Sequence, residues 1–378
     1  MSQLYLRDFC RDERDWLLDT IETLVRLESP TTDKAAVDRC GTELAARLGA
    51  MGGRVTPLTR PDRGNHLLAE FGCGHSQVLL LGHFDTVWPL GQLDRMPLVR
   101  ANGQLHGPGV FDMKAGIALG MLATRALLET GAELSRRIVM MWTSDEEVGS
   151  ATSRQAIEDE ARRSDAVLVL EPSLPGGALK TARKGCGSYE VVVRGVAAHA
   201  GIEPEKGASA VHELAHQILR INAVQSLERG ISVNVVKVTG GLRSNVIPDE
   251  AHAVVDVRAP SAAAAAEVEA AFRHLAPIDP RTTVESAGGF DRPPLERSAA
   301  VERLFARARK VAGELGLHDL AEGATGGGSD GNFTAAIGVP TLDGLGAIGD
   351  GAHALHERVD IEALPDRTAL IAGLIASL

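Results

Sequence analysis

Arg137-Ile138-Val139-Met140-Met141-Trp142-Thr143-Ser144-Asp145-Glu146-Glu147-Val148-Gly149-Ser150 runs from an unbroken apolar segment straight into three consecutive acids and a glycine. An apolar run of that length without alternation predicts a strand buried on both faces, as in a parallel sheet covered by helices. The turn at its carboxyl end then carries two adjacent carboxylates, Glu146 and Glu147. Two acids side by side repel, so in a partly dry cleft their roles must differ, and a metal held by one while the other handles protons separates them. A solvated acidic loop is the alternative, and the rest of the chain has to decide.

Two more segments behave in the same way. Residues 77–81 form an apolar run that enters Gly82-His83-Phe84-Asp85-Thr86-Val87, and 166–170 form one that ends at Glu171-Pro172. If the extended geometry continues past Gly82, His83 and Asp85 point to the same side. A further strand is expected at 66–71. Helical spacing covers 15–27 (Leu17, Leu18, Ile21, Leu24, Val25) and 33–51 (Val37, Cys40, Leu44, Leu48), and another helix is expected over about 150–163. An apolar helix also follows His106-Gly107-Pro108-Gly109-Val110-Phe111-Asp112-Met113-Lys114, where the glycines and proline demand a special backbone path. Strands alternating with helices give an α/β fold with a mostly parallel sheet, and ligands bind at the carboxyl edge of such sheets.

Taken singly, His83 beside a turn-forming Asp85, or Asp112 as a helix cap, is unremarkable. Together, His83, Asp85, Asp112, Glu146, Glu147 and Glu171 at successive element ends require a counter-charge. Mixed carboxylate and imidazole donors suit zinc, with cobalt or manganese as substitutes, and the count suffices for two ions roughly 3.5–4 Å apart.

After Pro175-Gly176-Gly177 the texture changes. Strands at 188–193, 231–238, 251–257 and 282–285, with helices at 208–224 and 262–275, give a β-α-β-β-α-β order. That order predicts an inserted α+β, ferredoxin-like domain at 184–293, so that residues 1–183 and 294–378 form the first domain. Helices over 298–315 and 360–378 belong to the returning chain, and a hinge is expected near residues 183–185 and 293–295.

The 378 residues suffice for two domains. A net charge of −11 without a basic, aromatic-interleaved patch excludes a nucleic-acid footprint. No apolar stretch of ~20 residues argues for a membrane span. The charged start lacks the apolar core of a signal peptide, and Cys10, Cys40, Cys73 and Cys186 form no CxxC pair, so reduced thiols and a cytoplasmic setting are expected.

Five strings in order, Gly82-His83-Phe84-Asp85-Thr86-Val87, Gly107-Pro108-Gly109-Val110-Phe111-Asp112-Met113-Lys114, Asp145-Glu146-Glu147-Val148-Gly149, Glu171-Pro172 and Gly351-Ala352-His353, resemble those of the M20 family of co-catalytic zinc hydrolases, within it the glutamate carboxypeptidases. The resemblance implies a zinc-exopeptidase-like catalytic domain and two zinc ions per subunit. His83 and Glu171 would hold one ion, Glu147 and His353 the other, and Asp112 would bridge them. The spacing to Glu357 favours His353 over His356. Asp85 would orient His83, and Glu146 would act as general base, taking a proton from the attacking water and passing one to the leaving nitrogen. The family often has a cis peptide after the bridging Asp, which is expected here at Asp112-Met113, although many relatives carry a second Asp where this chain has Met113.

In the insert, the resemblance implies that His199 reaches the active site of a partner subunit and stabilises the developing oxyanion, making the inserted domain a dimerisation domain and the protein a homodimer. Asn245, Arg258 and Lys184 would contact substrate, and Arg292 would clamp its α-carboxylate through a planar fork. The run Thr325-Gly326-Gly327-Gly328-Ser329-Asp330-Gly331 lacks the Gly-Lys-Ser/Thr ending of a nucleotide loop, and its amides, at Gly327 and Gly328 above all, are expected to meet the carboxylate. The function implied is cleavage of an amide bond next to an amino acid with a free α-carboxylate, glutamate first, from a small peptide or N-acyl amino acid. Deacylation of N-acyl amino acids, as by acetylornithine deacetylase or succinyl-diaminopimelate desuccinylase, uses the same motifs. A relative that has lost catalysis and only binds is a further alternative, against which the presence of Glu146 speaks.

Overall fold

A computed structural model describes residues 3–132, 136–317 and 320–378, which divide into two compact units. The first comprises residues 1–181, 297–324 and 329–378, and the second 182–296 together with 325–328.

The first unit is built on a six-stranded mixed sheet in the order Arg54–Leu58, His66–Phe71, Arg136–Thr143, Ser76–His83, Ser164–Val169, Thr341–Leu342. The last four run parallel, and the first two add an antiparallel hairpin at one edge. Alternation along the strands sorts side chains onto two cores. Val78, Leu80, Ile138, Met140, Trp142 and Leu168 pack under the helices Gln3–Asp12, Arg14–Arg26, Lys34–Ala50, Ala115–Glu129, Ala299–Glu314 and Leu364–Ser377. Leu79, Leu81, Val139, Met141, Val167 and Val169 pack on the other face against Ile157, Ala161 and Phe333. Continuous apolar runs are what burial on both faces requires. Helix Ala115–Glu129 lies so close to the sheet edge that a Cβ on Gly116 would stand 2.0 Å from the Leu170 carbonyl oxygen, so only glycine fits there.

Register sets where the strands end. His83 pairs with Thr143 and Leu81 with Val169, so the segments carrying His83, Glu146-Glu147 and Glu171 leave the sheet along one edge. A small antiparallel sheet, Gly349–Asp350, Arg358–Asp360, Gln104–His106 and Val99–Ala101, brings two more segments together. Arg358 pairs with His106 just before the Gly107–Asp112 path, and residues 351–357 are the hairpin loop between its first two strands.

The second unit is a four-stranded antiparallel sheet in the order Ser232–Gly240, Glu250–Ala259, Gly185–Arg194, Thr283–Arg292, with helices Ala210–Asn222 and Ala262–Arg273 packed on it. In chain order this is β-α-β-β-α-β with the ferredoxin-like strand arrangement. Serines 209 and 261 cap the two helices by accepting the backbone N–H groups of His212 and Ala264. Tyr189 stacks on Phe272 with centroids 3.8 Å apart.

Several elements differ from the sequence reading. The charged start forms a helix, Gln3–Asp12, because Leu6 and Cys10 share one buried stripe. The helix expected from residue 150 begins at Arg154, since Ser150 has φ +58° and Thr152 and Ser153 donate to Asp145. The last strand of the second unit continues through its glycines to Arg292 instead of ending at 285. At Gly288, φ is +127° and a Cβ would meet the Ser188 carbonyl oxygen at 2.1 Å, so the glycine permits close pairing instead of marking a turn.

Candidate metal centre

His83 is the last residue of its strand and almost fully buried. Its Nδ1 lies 3.1 Å from the Asp85 carbonyl oxygen and 3.4 Å from Asp85 Oδ1. A carbonyl can only accept, so Nδ1 carries the proton and Nε2 faces the cluster. There Nε2 stands 3.3 Å from Asp112 Oδ1 and 3.6 Å from Glu171 Oε1. On the far side of the same carboxylate, His353 Nε2 lies 3.3 Å from Asp112 Oδ2 and 3.2 Å from Glu147 Oε2. Asp112 thus turns one oxygen to each imidazole, the arrangement of a bridging carboxylate. His83, Asp112 and Glu147 each offer a ligand atom within 4.8 Å of the others. His356 is directed elsewhere, with Nε2 3.8 Å from Asp350 Oδ2.

The Asp112-Met113 peptide is cis and Gly109 has φ +71°. Met113 is buried, and its Sδ accepts the His83 backbone N–H at 3.3 Å. It therefore packs beneath the ligand strand and adds no charge to the cluster.

The electrostatics show what these groups need. Burial works against a charged His83, yet hydrogen bonds to Asp112, Asp85 and Glu171, with the nearby Glu146 charge, raise its pKa well above the usual value. Hydrogen bonds to Asp112 and Glu147 push His353 up to about 10. Burial opposes ionisation of Asp112, but the two histidines hold it far below the ordinary range, whereas burial leaves Glu147 raised. In the absence of another cation the imidazoles must hold protons to balance the acids. A divalent ion meets the same demand, and two imidazoles with three carboxylates are the donors that zinc takes.

Asp85 does more than face His83. Its Oδ2 accepts from Thr31 Oγ1 at 2.7 Å and from Glu147 N at 3.2 Å, and its Oδ1 accepts from Glu146 N at 3.3 Å. The turn is held from below by Asp145, which accepts from Thr152 and Ser153, and by Asp330, which accepts from Thr143 Oγ1 at 2.9 Å and from Ser150. Glu146 remains partly exposed. Asp330 was missed in the sequence because an acid between serine and glycine reads as a turn, and its partners lie some 180 residues away.

The other expected site residues lie in the second unit, in two groups. Arg258 and Arg292 both pair with Cys186, one from each flanking strand, so the three side chains share a face. Arg258 Nη1 is 2.6 Å from Cys186 Sγ, and its fork grips Asp256 at 2.8 and 3.1 Å. The glycine loop joins them: a Cβ on Gly328 would lie 2.8 Å from Arg292 Cδ and 3.1 Å from Cys186 Sγ. Buried Arg183, unanticipated, donates through Nη1 to the carbonyls of Gly327 and Gly328 at 3.2 and 3.0 Å, and the Lys184 amide donates to Thr325 at 3.0 Å. His199 and Asn245 form the second group, with Ala200 N donating to the Asn245 carbonyl at 3.0 Å. His199 is exposed, and its Nδ1 accepts from Gly201 N and Ile202 N, each at 3.1 Å. That fixes the proton on Nε2 and leaves it as an outward donor.

Comparison with known proteins agrees with this geometry. The family described as peptidase family M20/M25/M40 matches residues 79–377. The chain is 31% identical to "Carboxypeptidase G2" of Pseudomonas sp. (strain RS-16), over 97% of this chain and 90% of that protein. It is 28% identical to "Succinyl-diaminopimelate desuccinylase" of Bordetella pertussis, over 92% and 94% respectively. The crystal structure of aminopeptidase PepT from Bacillus cereus superposes with a TM-score of 0.80 at 21% identity, covering 96% of this chain and 98% of that one, which shows the fold. The chain therefore belongs to peptidase family M20/M25/M40 and is a hydrolase acting on amide bonds.

Proposed function

We propose that this hydrolase uses two zinc ions to cleave the amide bond before a C-terminal amino acid with a free α-carboxylate, with glutamate as the leading candidate. The observation that carries the metal assignment is Asp112 facing His83 with one oxygen and His353 with the other. Asp112 would be shared between the ions, His83 and Glu171 would complete one site, and Glu147 and His353 the other. When bound, the ions supply Lewis acidity and lower the pKa of water. The chain does the rest. Glu146, on a turn fixed by Asp85, Asp145 and Asp330, takes a proton from the attacking water and returns one to the leaving nitrogen. His199, with Nε2–H turned outward, supplies a donor to the oxyanion.

The carboxylate requirement is supported by Arg292 and Arg258 flanking Cys186, with Gly327 and Gly328 beside them and Asn245 and Lys184 as further substrate contacts. A homodimer through the second unit is supported by its edge strand Ser232–Gly240, whose Val236 and Val238 are 60% and 54% exposed, followed by Leu242 at 98%. Exposed apolar edge strands pair readily with a second copy. The four cysteines are free, which supports a cytoplasmic setting.

Release assays on zinc- or cobalt-loaded protein, with glutamyl conjugates, other N-acyl amino acids and succinyl-diaminopimelate, test the reading. Preferential release of glutamate supports it. Preference for a succinyl or acetyl donor, in keeping with the desuccinylase relatives, replaces it with N-acyl amino-acid deacylation.

A further inference from the structure

Glu357 takes no part in the scheme above, yet it is only 1% exposed and its carboxylate is bonded to the backbone of Asp112. Four N–H groups converge on its carboxylate. Oε1 accepts from Phe111 N at 2.9 Å and Asp112 N at 3.0 Å, and Oε2 accepts from Gly109 N at 2.8 Å and Trp88 Nε1 at 2.9 Å. An ionised carboxylate offers about four acceptor sites, so this set fills it and places no acceptor against it. Burial raises the Glu357 pKa, while these same hydrogen bonds work against the rise.

The donors come from two segments and the acceptor from a third. Phe111 and Asp112 belong to the path that delivers the candidate bridging carboxylate. Trp88 follows the His83–Asp85 segment by three residues. Glu357 closes the turn that presents His353, its own amide donating to the Ala354 carbonyl at 3.0 Å. We infer that Glu357 is a positioning residue of the metal centre, whose single carboxylate locks the Asp112, His83 and His353 segments in the spacing that two metal ions require. It touches neither substrate nor ligand side chain, and acts by fixing the backbone from which Asp112 projects. This inference rests on the metal assignment under the proposed function.

Glu357→Gln makes the role measurable. One oxygen becomes an NH2 group, which cannot accept, so either the Phe111 and Asp112 pair or the Gly109 and Trp88 pair faces a donor. Full-length wild-type, Glu357→Gln and Trp88→Phe proteins are loaded with Co2+ alone and challenged with a chelator. Visible absorption reports ligand geometry, and its decay reports release. The expected result is release about 10–100-fold faster in Glu357→Gln, with a changed cobalt band, and about 2–5-fold faster in Trp88→Phe, which removes one donor of four. The double variant is expected to release metal more slowly than the product of the two effects, because without the indole the amide has one opposing donor fewer on that side. A lowered melting temperature with wild-type spectrum and release rate in Glu357→Gln would make the residue merely structural and overturn the inference. If Glu357→Gln does not fold, Trp88→Phe decides alone, and wild-type release there overturns it. A wild-type protein that takes up no cobalt refutes the metal assignment instead.

Discussion

The acidic cluster of the first unit and the basic cluster of the second are built by opposite means. The candidate metal ligands sit at strand ends and on the segments beyond them, and main-chain donors and buried carboxylates fix those segments: Asp85 holds Glu146 and Glu147, Asp330 holds Thr143 and Ser150, and Glu357 holds Gly109, Phe111 and Asp112. The basic groups stand on the strands themselves, where antiparallel register alone puts Arg258 and Arg292 on either side of Cys186. A charge-dense site needs its carriers held against mutual repulsion, so it spends many polar contacts on backbone. Two basic side chains on one face need only that register and a loop beside them.

Substitutions break the two clusters differently, and the largest effect is expected within the acidic one. Glu146→Gln should lower kcat by about 10²–10⁴-fold with metal content unchanged, as for a lost general base, while Glu147→Gln should lose metal first. Metal analysis beside steady-state kinetics checks this, and identical behaviour of the two variants would refute the division of labour between the adjacent acids. In the basic cluster, Arg292→Ala should raise KM for carboxylate-bearing substrates roughly tenfold to a hundredfold, the worth of a charge-assisted hydrogen bond, and leave metal content intact. An unchanged KM would remove Arg292 from substrate binding.

A smaller effect is expected where the acidic turn is tied down. Asp330→Ala leaves the Thr143 and Ser150 hydroxyls without that acceptor in a buried place, and should cost about 1–3 kcal/mol in denaturant unfolding. Its kcat should fall more than its KM rises, because the turn that carries Glu146 loosens. A further effect concerns protons. His353 is raised to about 10 and His83 is also raised, so metal uptake at neutral pH must displace protons from them. Apparent metal affinity should therefore rise with pH, by about tenfold per unit for each proton displaced. For the metal-free protein the sign is reversed. A histidine pKa raised above its unfolded value of 6.5 adds stability that is complete below that value and is lost as pH rises toward 10. Chelator competition and melting curves across pH 6–10 check both signs, and affinity independent of pH would mean that the imidazoles are not ligands.

Much of the first unit was legible in the sequence because its determinants are local. Apolar runs at 77–81 and 137–142 can only be doubly buried strands, and whatever follows them leaves at the carboxyl edge. His83, Glu146, Glu147 and Glu171 stand out as candidates for that reason, whereas the choice of Glu147 as ligand and the place of Asp112 came from the resemblance; the mixed α/β layout was legible as well. The strand that ends in Arg292 was underestimated because glycines lower strand propensity, whereas close approach of the Ser188 carbonyl requires glycine at 288.

By itself, then, the sequence determined the longer elements, their order and the segments that carry candidate chemistry, since periodicity and strand-end chemistry depend on residues a few positions apart. Only the tertiary structure decided which distant groups meet. A short antiparallel pairing of Arg358 with His106 brings the His353 hairpin to the Asp112 path, register sets two arginines on either side of Cys186, and Asp330 and Glu357 reach back across the chain to hold turns that no local pattern links to them. The physical reason is that buried carboxylates are satisfied by whichever donors packing delivers, and packing is a property of the whole fold.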